Sequence, residues 1–204
     1  MTSTGMAAAV ALIATLVALP AAAQTDDSYP VEVELVRPSF SADGLFAVDS
    51  PRVGPTGTLV WGVVTQYEKN PLRLFEYGNL RGMVVADRYA GHLGVSYAPD
   101  RRVSTRLVVP LAYHTGSESD WLAGDGFGVG DITTGLRWRV AQWDNVTLGL
   151  SGDLVLPFGA RERYMVERLP RLFVGPMLHV QSGRLAFVST AGVHIRAPVV
   201  TQED

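Results

Sequence analysis

The chain has 204 residues, a net charge of -3 and no cysteine. That charge excludes a strongly basic nucleic-acid binder. The missing cysteine excludes disulfides, thiolate metal sites and a lipid-anchored N-terminal Cys together. Abundant Gly, with Val, Leu, Thr and aromatics in short segments, points to strands.

Residues 7–19, AAAVALIATLVAL, form an apolar run that Pro20 ends. Ala21-Ala22-Ala23 then supplies an A-x-A site before Gln24, so residues 1–23 read as a signal peptide cleaved after Ala23. The run is shorter than the roughly 20 apolar residues a membrane helix needs. Residues 24–57 read as an irregular periplasmic segment: VEVEL (31–35) alternates, but RPSFSADG and SPRVGPTG are turn chemistry. Residues 58–204 form the β domain.

Seven segments of period two follow. In TLVWGVVTQYE, Leu59, Trp61, Val63 and Tyr67 oppose Gly62, Gln66 and Glu68. Near RYAGHLGVSY, Tyr89, Leu93, Val95 and Tyr97 oppose Arg88, His92 and Ser96. In VSTRLVVPLAYH, Val103, Leu107, Val109, Leu111 and Tyr113 oppose Ser104, Arg106 and His114. In DITTGLRWRV, Ile132, Leu136, Trp138 and Val140 oppose Asp131, Thr133, Arg137 and Arg139. In VTLGLSGDLVLPF, leucines and valine oppose Thr147, Ser151 and Asp153. The last two segments set Arg171, His179 and Gln181, then Thr190, His194 and Arg196, against apolar partners.

The connections alternate in length. APDRR, AQWDN and QSGR are tight turns, whereas residues near 69–82, 115–128 and 159–169 read as long loops. That layout, with segments near the 9–11 residues of a tilted membrane strand, predicts an all-β, antiparallel up-and-down transmembrane β-barrel. The apolar face would meet lipid. Its aromatics form two candidate girdles: Tyr67, Tyr89, Tyr113 and Phe158 toward the long loops, Tyr97 and Trp138 toward the short turns. Pro110 and Pro176 count against a continuous ladder, because each lacks a donor.

The polar face supplies the lumen-facing candidates: Glu68, Arg88, His92, Arg106, His114, Asp131, Arg137, Arg139, Asp153, Arg171, His179, His194 and Arg196. Six of these are arginines and three are carboxylates. In a wide barrel the surplus would favour anions in a wet channel; in a narrow one, ion pairs would fill the interior. No catalytic, cofactor or metal site is expected. The four histidines fall on four different segments without clustered carboxylates. GDGFGVGD (124–131) has the wrong spacing for a dinucleotide fingerprint and runs into a strand, so it reads as a loop returning to ITTGLRWRV.

GLFAVDSPRV (44–53), Y-x-x-NPL at Tyr67 to Leu72, and GDITTGLR (130–137) resemble the N-terminal barrel region of OmpA-family outer-membrane proteins of the myxobacterial type. The resemblance implies an outer-membrane location and, in such proteins, a C-terminal peptidoglycan-binding domain, which is expected to lie outside this sequence. Seven strands would also be an odd number for a single-chain barrel. The expectation is therefore an incomplete barrel of about seven or eight strands. Expected partners are outer-membrane lipid and small anionic solutes, with peptidoglycan reached through a domain outside this chain. The expected function is a passive diffusion channel or structural envelope protein. The alternatives are a non-conducting anchor and a secreted β-sandwich binding module.

Overall fold

A computed structural model describes residues 37–115, 125–159 and 169–196. The signal peptide, VEVEL, most of the two later loops and the tail from residue 197 lie outside the described residues. The strands are β1 (Leu59–Glu76), β2 (Asn79–Asp100), β3 (Val103–Thr115), β4 (Gly126–Val129), β5 (Ile132–Gln142), β6 (Val146–Leu156), β7 (Arg171–Ser182), β8 (Leu185–Thr190) and β9 (Val193–Arg196).

All join one antiparallel sheet in the order β1-β2-β3-β5-β6-β7-β8. β4 pairs with β3 above β5, and β9 pairs with β7 above β8. The architecture is thus a seven-row up-and-down meander. Among the described residues it is not closed: the paired order ends at β1 on one side and at β8 on the other.

The two interruptions have one cause. Pro110 O accepts a bond from Gly130 N, and Pro176 O accepts one from Ala191 N. In a strand, a residue's N–H and C=O point to the same neighbour. Each proline therefore lacks a donor toward the row that breaks opposite it, between β4 and β5 and between β8 and β9. The glycine-rich stretch is also more ordered than a loop. Gly126–Val129 pairs with Leu111–His114, so the small residues are strand.

The first long loop expected near 69–82 is instead a hairpin. β1 and β2 run on as 18 and 22 residues to a two-residue turn at Tyr77 (φ 50°) and Gly78 (φ 81°). Two consecutive positive φ values give a type I′ turn, whose twist suits the flanking strands. Asn70 (φ 52°) takes the irregularity just before Pro71, after which pairing resumes at Leu72.

Burial runs opposite to that of a soluble sheet. On β3 the inward row includes Ser104, Val108, Ala112 and His114, all buried, while Leu107 and Tyr113 are exposed. The apolar core is correspondingly thin, and Arg137, His92 and His114 are among the largest fully buried side chains. What encloses this polar face is the sheet's own curl around residues 37–57. This strap has a single internal bridge, Leu45–Val48.

Candidate functional site

The strap crosses the inner face from one side of the sheet to the other, and glycines prepare its path. Phe40 lies against the β1–β2 pair Gly62 and Gly94, where a Cβ on Gly94 would stand 2.2 Å from the ring. Pro51 lies on Gly149 of β6, where a Cβ would come within 2.6 Å. At the far side Ser50 Oγ is 3.2 Å from His179 Nδ1, and Arg52 donates to Gln181 at 2.8 Å. Thr190 Oγ1 of β8 donates to the Asp49 carbonyl at 3.1 Å.

Asp49 is the electrostatic centre. Arg137 Nη2 donates to its Oδ1 at 2.7 Å, and Arg106 Nη1 lies 2.9 Å from its Oδ2. Ser39 Oγ also donates to Oδ1. Arg106 turns its other edge to Asp153, with Nε–Oδ1 at 2.9 Å and Nη2–Oδ2 at 2.5 Å. These two belong to one cross-strand row. Arg106 of β3 opposes Gly135 of β5, which opposes Asp153 of β6. The pair closes over the glycine: a Cβ there would sit 1.9 Å from Asp153 Oδ1.

The other expected residues separate by position. Arg88 pairs with Glu68 at 3.1 Å, and Arg171 with Asp131 at 2.8 Å, both largely buried. His92 and His114 are buried on the inner face of β2 and β3. Arg139 is half-buried and donates to Gln142 at 2.5 Å. His194 and Arg196 lie exposed on β9; the His194 ring is 5.0 Å from Phe173. Beside the strap, Asp49, Arg106, Thr133, Asp153 and His92 help line a cavity of about 270 Å³.

Ser39, Phe40, Asp49 and Ser50 were not among the expected residues. One signal pointed toward them: the polar face has more arginines than carboxylates, so a counter-anion had to come from elsewhere. Asp49 supplies it.

The Asp49 carboxyl carries a pH dependence. Burial alone would raise its pKa. The charges of Arg137 and then Arg106, with hydrogen bonds from Ser39 and Arg137, outweigh burial and hold it below its ordinary 3.8. A group lowered on folding contributes its stabilisation above the unfolded value and loses it as pH falls through the folded one. The contribution of Asp49 to strap seating should therefore be constant above that ordinary value and weaken only below it. Asp153 is the other carboxylate facing Arg106. Carbon-13 NMR of carboxyl-labelled aspartate, assigned with Asp49→Asn, should give Asp49 a midpoint under 3.8. A midpoint at or above that value contradicts the geometry.

The outer face is organised by the same registers. Tyr67, Tyr89, Tyr113 and Phe127 stand opposite one another in a single row across β1, β2, β3 and β4. All four are about half exposed. Tyr67 and Tyr89 rings are 5.0 Å apart, and the Tyr67 hydroxyl donates to Asp87 at 2.5 Å. Phe158, also exposed, follows β6 at this end. Tyr97 and Trp138 are exposed near the short turns. Between the two levels the outward positions are apolar, glycine, proline or threonine, with no charge among the described residues.

No protein-family model, curated protein or solved structure matches the chain.

Proposed function

We propose that this chain forms the wall of an outer-membrane β-barrel whose interior is occupied by residues 37–57. The observation that carries the reading is the inverted distribution of polarity: an exposed, uncharged outer face around a buried, charged inner one. A surface of this kind is costly in water and matched to hydrocarbon.

The dimensions agree. Tyr89 and Tyr97 lie eight residues apart on β2, and Val103, opposite Trp138, lies ten below Tyr113 on β3. At about 3.3 Å per residue and a tilt of about 40°, those spans correspond to roughly 20–25 Å of membrane thickness. The tyrosine tips would then sit at headgroups, as in aromatic girdles. The resemblance to OmpA-family barrel regions and the export signal belong to the same proposal, with outer-membrane lipid as the principal partner.

Within this reading, the ion pairs and the strap favour a structural, plugged wall over a standing-open diffusion channel. Passage of small anionic solutes is the second reading, favoured by the cavity beside Arg106.

The test uses tryptophan. Trp61 is 75% exposed and lies inside the uncharged band, opposite Val95. In a variant whose other tryptophans are replaced by phenylalanine, refolded into vesicles, its fluorescence should be quenched by lipids brominated along the acyl chain. The reading fails if the protein is monodisperse without detergent and Trp61 is untouched by brominated lipid.

A further inference from the structure

The strap's buried ion pairs to the sheet run through one carboxylate, and the groups around it are unevenly satisfied. Arg106 is shared by Asp49 and Asp153. Arg137 is 1% exposed and is met by Asp49, while its Nε and Nη1 are buried without a hydrogen-bond partner. Arg106, Arg137, Asp49 and Asp153 together are neutral. Lifting Asp49 away would leave one buried positive charge uncompensated, which is strongly unfavourable.

We propose that Arg106 and Arg137 form an anion site that Asp49 fills in cis, and that a small carboxylate solute takes this site when the strap lifts. The strap is then a displaceable plug, a role that rests on the barrel reading above. Three features support the exchange. The site already accommodates a carboxylate, and a monoanion restores neutrality where a dianion beside Asp153 would overshoot. The spare Nε and Nη1 of Arg137 can serve a second oxygen. The adjoining cavity of about 270 Å³ gives a solute room to stand next to Arg106 before Asp49 leaves.

The chain's lack of cysteine makes the test clean. Ser50, itself a strap residue, is fully buried against β7, 0% exposed. The variant Ser50→Cys should react slowly with a maleimide while the strap is seated. Replacing chloride by acetate at equal ionic strength should speed labelling several-fold, because acetate competes with Asp49 whereas general screening is matched. Adding Asp49→Asn should raise the rate in chloride by about tenfold or more, because half of a buried ion pair is gone. Equal rates in acetate and chloride overturn the proposal, as does an Asp49→Asn variant that labels no faster. Should that variant fail to refold, the acetate comparison decides alone. Acetate-dependent labelling in a protein that never enters bilayers would leave the anion site standing and remove the barrel. Bilayer insertion with salt-indifferent labelling would do the reverse.

Discussion

Leu93→Arg should lower unfolding stability in a phospholipid bilayer by about 2–4 kcal/mol, the cost of arginine near the bilayer midplane on a lipid-facing strand. Leu93 lies midway between Tyr89 and Tyr97 on β2, points outward and is 46% exposed. In water the same change replaces an exposed leucine, and surface substitutions of that kind usually stay within about 0.5 kcal/mol. The two solvents therefore predict different outcomes from one side chain. Tyr97→Arg is the internal control. At the band's edge it should cost roughly 0–1 kcal/mol, because the longer side chain reaches the headgroups. Denaturant titration of both variants in vesicles reads the difference. Equal, small costs at Leu93 and Tyr97 would rule out a hydrocarbon environment for this face.

Gly135→Ala should destabilise the inner face by opening its ion pair. Elsewhere in a strand, alanine for glycine gains roughly 0.5–1 kcal/mol of backbone entropy. At Gly135 the new Cβ would collide with Asp153 Oδ1 and crowd Arg106 Nε, 3.0 Å away. The carboxylate must move, and a buried pair with bonds at 2.9 and 2.5 Å opens. Breaking such a pair costs about 3–5 kcal/mol, which outweighs the entropic gain. Gly152→Ala on the neighbouring strand meets nothing within 4 Å and should be neutral or slightly stabilising. A double-mutant cycle with Asp153→Ala isolates the mechanism: in that background the Gly135→Ala penalty should largely vanish. A penalty that survives loss of Asp153 would place its origin in the backbone.

Much of the sheet was legible because outward and inward positions alternate along every strand. The parity of Arg88, His92, Arg106, Arg137, Asp153 and His179 follows from period two alone, and the registers bring them onto one face. The short turns at Arg101, Trp143 and Gly183 were equally plain. What escaped was structure whose determinants are distant or locally contradictory. Asn70-Pro71 reads as a breaker, yet a single positive φ at Asn70 lets β1 continue to Glu76. GFGV reads as a loop because alternating glycines carry little pattern, yet Leu111–His114 offers it a ladder. The strap has no periodicity at all. Its partners lie far along the chain, with Asp49 and Arg137 separated by 88 residues and Ser50 and His179 by 129.

That reach gives the strap a role in assembly. Its contacts sample Gly62 and Gly94, Arg106, Arg137, Gly149, His179, Gln181 and Thr190, so every row of the meander is touched. A slip of one residue in any strand would turn its inner side chains outward. The missing arginine or glycine would then leave Asp49 or Phe40 without its seat. The complete set of strap contacts exists only when all seven rows are aligned, so residues 37–57 act as an internal gauge of strand alignment.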